Sequence, residues 1–96
     1  MPEGQNTEWK LTWRDEYLEW VCGFANADGG SLYIGKDDRG VTVGLTDSKR
    51  LMEDIPNKIR SWLGIVCKVS LHAEADGLEC IRIDVEPSSY PVNYRG

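Results

Sequence analysis

Phe24-Ala25-Asn26-Ala27-Asp28-Gly29-Gly30-Ser31-Leu32-Tyr33-Ile34-Gly35-Lys36-Asp37-Asp38-Arg39-Gly40-Val41-Thr42-Val43-Gly44-Leu45 is the stretch whose reading decides the fold. It begins as the end of an apolar helix. Glycine after a helix admits the left-handed conformation that closes the last turn. A second glycine lets the chain reverse into Ser31-Leu32-Tyr33-Ile34-Gly35, an apolar strand. Asp37-Asp38-Arg39-Gly40 has turn composition. Val41-Thr42-Val43-Gly44-Leu45 alternates as a return strand would.

Upstream, Leu18, Val21, Cys22 and Ala25 recur at i, i+3, i+4 and i+7, the stripe of a helix over 16–26. Tyr17, Trp20 and Phe24 widen that stripe, so the helix is expected at the centre of the core. Asp15 is placed as its N-cap. Before it, Trp9, Leu11 and Trp13 alternate with Glu8, Lys10 and Thr12, which predicts a strand over 8–13 with one buried side.

Downstream, Asp47 or Ser48 caps a second helix, with Leu51, Ile55, Ile59, Trp62 and Leu63 on one face. Pro56 lies inside this pattern and is expected to kink or divide the helix, because it lacks an N–H. Gly64 ends the helix. Residues 65–73 read as a strand with Cys67, Val69, Leu71 and Ala73 on one side. Asp76-Gly77 makes a hairpin turn. Residues 78–85 return, and 92–95 have the composition to begin one more strand.

The expected order is β-α-β-β-α-β-β. Paired strands with two helices on one face give an α+β fold on a mixed or antiparallel sheet. The 96 residues make one domain, 1–96, since two cores would not fit this length. A hydrophobic share of 41% and a charged share of 28% exclude a disordered chain. The strand-like ending at Tyr94-Arg95-Gly96 suggests an N-terminal module of a longer protein.

No apolar run reaches the roughly 20 residues that cross a bilayer. Met1-Pro2-Glu3-Gly4 has neither the basic nor the apolar part of a secretory signal. Cys22, Cys67 and Cys80 are an odd, scattered set, which favours a reducing compartment. A cytoplasmic protein without a membrane partner is expected. The net charge of -5 opposes unaided binding to a phosphate backbone, so any nucleic-acid contact needs a local basic face.

Glu8-Trp9-Lys10, the 24–30 segment, Tyr33-Ile34-Gly35-Lys36-Asp37-Asp38-Arg39-Gly40 and Val43-Gly44-Leu45 together resemble the AlbA-like domain of the Schlafen family. Asp54-Ile55-Pro56-Asn57-Lys58-Ile59, Leu63-Gly64-Ile65 and Pro87-Ser88-Ser89-Tyr90-Pro91-Val92 extend the likeness in order along nearly the whole chain. The resemblance implies a DNA- or RNA-binding module of transcriptional-regulator-like proteins. In eukaryotic relatives it implies a metal-dependent ribonuclease built on two glutamates and an aspartate. Glu3, Glu8 and Asp38 match those positions as catalytic residues and as ligands for Mg²⁺ or Mn²⁺. The zinc-binding Cys/His set of those enzymes has no counterpart here.

Without the family, Glu3 is an N-terminal polar residue and Asp37-Asp38 an ordinary turn pair. Lys10, Arg14, Lys36 and Arg39 are candidate phosphate contacts, and Tyr33 could stack on a base. Lys49, Arg50, Lys58 and Arg60 form a second basic group, on the outer face of the second helix. Gly29-Gly30 follows a helix, whereas a phosphate cradle precedes one. With no G-x-x-x-x-G-K-S/T motif, ATP is not expected, and no cofactor is, unless the carboxylates hold Mg²⁺ or Mn²⁺. Three readings stay open: a nucleic-acid-binding module, a metal-dependent endoribonuclease, and a protein-interaction module or homodimer.

Overall fold

The computed structural model of the chain describes residues 6–94. Its regular elements are β1 (Thr7–Lys10), α1 (Leu18–Ala25), β2 (Gly30–Ile34), α2 (Ser48–Leu63), β3 (Lys68–Ala73) and β4 (Glu79–Val85). The strands form one sheet in the order β1-β2-β4-β3. β1 and β2 run parallel, joined through α1, and the other two pairings are antiparallel. The fold is α+β, with two helices against a four-stranded mixed sheet.

Alternation along the strands decides which face the helices cover. Leu32 and Ile34 of β2 and Ile81, Ile83 and Val85 of β4 are buried with Leu18, Val21 and Ala25 of α1 and Leu51, Ile55 and Ile59 of α2. Removing each of the Leu, Ile and Val side chains from water contributes about 1.5–3 kcal/mol. Ser31, Tyr33, Arg82 and Asp84 alternate with those residues and occupy the opposite face.

Gly29 makes the reversal between α1 and β2 at φ 83°. A Cβ there would stand 2.6 Å from the Val85 carbonyl oxygen, so only glycine fits. The Gly29 N–H donates to the Phe24 carbonyl at 2.9 Å, which closes the helix end.

Several expected elements take a different form. β1 ends at Lys10 instead of 13, and Leu11 is 56% exposed. Asp15 does not cap α1. It starts a single 3-10 turn, Asp15–Tyr17, and its carboxylate accepts from Trp13 Nε1 at 2.8 Å and Lys58 Nζ at 2.8 and 2.9 Å. Asp47 is the N-cap of α2, yet its carboxylate pairs with Arg50 and does not bond the helix backbone. Pro56 leaves α2 undivided. The apolar side chains of Leu51, Ile55, Ile59 and Leu63 hold both halves on the same core.

The return strand at 41–45 shrinks to one bridge, Lys36 with Thr42. The Gly35 carbonyl instead accepts from the N–H groups of Val43 and Gly44, at 2.8 and 3.3 Å, and curls the segment into a loop. No strand forms over 92–94; residue 95 lies outside the described residues. The segment after β4 crosses the end of α1, where the Ser88 N–H donates to the Ala25 carbonyl at 2.8 Å and Val92 is buried. No helix among the described residues is long and apolar enough to cross a membrane.

Candidate nucleic-acid interface

On the sheet face away from the helices, two basic side chains meet one aromatic ring. In register, Trp9 of β1 stands beside Tyr33 of β2, and Tyr33 beside Arg82 of β4. Arg82 in turn pairs with Ser70 of β3, and Lys68 of β3 pairs with Asp84 of β4. Three strands thus bring Tyr33, Arg82 and Lys68 to one face, with Trp9 buried on the same side of β1.

Tyr33 is the centre of the group. The Lys36 ammonium lies 5.4 Å from its ring centroid and the Arg82 guanidinium 5.5 Å, both within cation–π range. Lys36 reaches this position from the loop after β2. Its Nζ donates to the Gly40 carbonyl and to Thr42 Oγ1, each at 3.1 Å. An ammonium has three donors, so one remains for a ligand. Arg82 Nε donates to Asp84 Oδ1 at 2.7 Å, and the same oxygen accepts from Ser31 Oγ at 2.8 Å. The pairing with Asp84 raises the pKa of Arg82 further, so the guanidinium stays charged.

The loop over 35–45 is shaped to cover part of this face. The Asp37 carboxylate accepts from the N–H groups of Arg39 at 2.9 Å and Val41 at 3.0 Å, and those two bonds hold it below the usual carboxylate range. Gly40 then lies flat on the Trp9 ring at φ 79°, where an added Cβ would come within 2.7 Å of ring carbon. Thr42 Oγ1 donates to Glu74 Oε1 at 2.9 Å and ties the loop to the β3–β4 turn. Between loop and turn lies an open groove of about 450 Å³, lined by Lys36, Gly40, Thr42, Glu74 and Asp76 among others.

The remaining expected contacts are dispersed. Lys10 points to the helix side, 3.1 Å from Glu8 and over the rings of Tyr17 and Trp20 at 5.0 and 5.5 Å. Arg14 is exposed in the β1–α1 connection, 3.8 Å from Glu16. Arg39 stands exposed at the loop tip, 3.9 Å from Asp37. On α2, Arg50 pairs with Asp47 and Asp54, and Lys58 with Asp15, while Lys49 and Arg60 are exposed. Two of the four α2 cations are thus paired with carboxylates.

Of the carboxylates, Glu3 lies outside the described residues. Glu8 belongs to the helix-side pair with Lys10, and Asp38 is exposed in the loop that lies across the other face. Among the described residues, no three His, Cys, Asp or Glu side chains are grouped to hold a metal. The cysteines are free thiols, and burial pushes the Cys67 thiol up to about 11, with the Asp84 charge adding to the shift.

The family model described as Schlafen, AlbA_2 matches residues 3–96. The chain belongs to this family. No curated protein matches it. Solved structures share the fold of this AlbA_2 domain, among them the following two. The crystal structure of the DIP2311 protein from Corynebacterium diphtheriae has a TM-score of 0.75 at 18% identity, over 95% of this chain. The chain spans only 19% of that protein's length. The second is the solution structure of the N-terminal domain of a protein from Nitrosomonas europaea, named as related to the ATP-dependent DNA helicase RecG. It has a TM-score of 0.72 at 23% identity, over 95% of this chain and 69% of that one. At these identities the likeness is one of fold.

Sequence reading missed Arg82 and Lys68 as neighbours of Tyr33 on this sheet face. Both were visible as polar positions alternating with apolar ones in strands. What placed them beside Tyr33 was the β2–β4 and β4–β3 registers, which a single sequence does not display.

Proposed function

We propose that this AlbA_2 domain is a non-enzymatic nucleic-acid-binding module of a regulator-like protein, and that the open sheet face is its contact surface. The observation that carries the reading is Tyr33 with the cations of Lys36 and Arg82 on its ring. Lys68 extends the basic row along β4's other neighbour, and Asp84 is the carboxylate among these strand positions. In a chain of net charge -5 these three cations share their surroundings with Asp84 and, in the adjoining groove, with Glu74 and Asp76. Cations held by a ring and by short hydrogen bonds lose little side-chain freedom on meeting a phosphate, which favours binding.

Family membership supports this reading, and so does the helicase-related name of one structural neighbour. Lysine and arginine contacts to a backbone position the ligand without reading its sequence, so DNA and RNA are both admitted. Binding is weak for the domain alone and falls steeply with salt. The free thiols fit a cytoplasmic setting.

Amide shift mapping tests the location. Titration with a short oligonucleotide at low salt is expected to move the resonances of Tyr33, Lys36, Lys68 and Arg82. Shifts confined to Lys49, Arg60 and their neighbours on α2 would place the contact on the other side of the molecule and overturn the reading.

A further inference from the structure

β3 is an outer strand of the sheet, paired only with β4 among the described residues. Its hydrogen-bond parity is fixed by the turn that follows. The Glu74 N–H donates to the Leu78 carbonyl at 2.8 Å, in register with Ala73 opposite Glu79. Even-numbered residues of β3 therefore turn their peptide groups towards β4. Val69, Leu71 and Ala73 turn theirs outward, because alternate residues of an antiparallel strand point their N–H and C=O groups to opposite sides. No other backbone segment among the described residues bonds to that edge. Leu71 is 41% exposed, and nearby Val66 is 86% exposed.

We infer that β3 is a self-association edge, on which a second copy of this chain pairs its own β3 antiparallel about a two-fold axis at Leu71. This register is self-complementary. Leu71 meets Leu71, and Val69 meets Ala73, which places apolar side chains together on the helix side. On the open face Ser70 meets His72, and Lys68 meets Glu74 of the second copy. By symmetry the Lys–Glu pair occurs twice. Opposite charges directly across an antiparallel pair stabilise it, and like charges destabilise it. The outward peptide groups of Val69, Leu71 and Ala73 are all satisfied by the same groups of the other copy. The axis stands perpendicular to the sheet, so the two open faces merge into one continuous surface. The inference stands on edge geometry and charge and does not depend on the nucleic-acid reading.

Sedimentation velocity on the 96-residue chain over a wide concentration range tests it. A concentration-dependent dimer is expected. Lys68→Glu should weaken it roughly tenfold or more, since two attractions become two repulsions. Lys68→Glu combined with Glu74→Lys should restore it. Leu71→Pro removes an outward N–H, spares the bonds to β4 and should abolish the dimer, with circular dichroism confirming the fold. A monomer at every concentration overturns the inference. So does a dimer unchanged by Lys68→Glu, or a double charge swap that fails to restore association.

Discussion

The carboxamide of Asn26 holds both peptide groups of Val92. Its Nδ2 donates to the Val92 carbonyl and its Oδ1 accepts the Val92 N–H, each at 2.7 Å. Cys22 Sγ lies 3.2 Å from the same carbonyl, and Tyr94 brings its ring to 6.1 Å from that of Trp62. One side chain at the end of α1 thus does for the C-terminal segment what a neighbouring strand would do.

Asn26→Ala removes both bonds and strands the peptide groups of a buried residue. Each net hydrogen bond contributes about 0.5–1.5 kcal/mol, so a loss of about 1–3 kcal/mol is expected. Urea denaturation checks the magnitude. Trp62 fluorescence should change at lower denaturant than the global transition as Tyr94 detaches. Asn26→Asp keeps the acceptor alone and should fall between wild type and alanine.

Gly40→Ala places a methyl group against the Trp9 ring at a backbone angle that L-residues rarely adopt. The conformation alone costs about 1–3 kcal/mol. Thermal melts should show the loss. Lys36, whose ammonium is anchored on the Gly40 carbonyl, should lose its place over Tyr33 in the same variant.

The Asp15 carboxylate is held below its ordinary value of 3.8, chiefly by the hydrogen bond from Lys58 and then by the one from Trp13. A depressed folded-state pKa gives stability that is present above the unfolded value and lost as pH falls through the folded one. Asp15→Asn should therefore lower stability at neutral pH and flatten the decline of wild type below pH 3.8. The pair is 34–42% exposed, so the effect stays under about 1 kcal/mol. Melting temperatures of both proteins from pH 7 down to acid conditions measure it.

The carboxylate triad has its own test. Glu8 already faces the ammonium of Lys10 at 3.1 Å, which opposes a second cation there. Added Mn²⁺ is expected to leave the melting temperature unchanged, and wild type and Glu8→Ala should not differ in cleavage of structured RNA. A Mn²⁺-dependent rise that Glu8→Ala removes would establish the metal site.

How far the sequence revealed this molecule depended on the range of the interaction. The α1 stripe, the Gly29 stop and the apolar face of α2 are local patterns, and each appears where the sequence put it. Val41 and Val43 alternate just as well, yet they are 52% and 44% exposed. Gly40 and Gly44 both take positive φ and curl the loop before a ladder can form. Alternation records which residues share a side, not whether a partner strand is present. Lys10 shows the same limit. Its side of β1 could be deduced, but that side turns to Tyr17 and Trp20 of the helix layer. Tyr33 and Lys36 lie three residues apart and were readable together. Arg82 is 49 positions from Tyr33 and joined them only through sheet register.

We propose that nucleic acid is met by the open sheet face. Fluorescence anisotropy of a labelled oligonucleotide at low and moderate salt measures it most directly, with Lys36→Glu/Arg82→Glu set beside the helix control Lys49→Glu/Arg60→Glu. Both variants change the net charge equally, so long-range repulsion cancels in the comparison. The sheet variant should lose at least about tenfold in affinity, equal to about 1.4 kcal/mol, and show a shallower salt slope. The helix variant should stay near wild type. Equal losses in both, or a larger loss in the helix variant, would contradict the assignment.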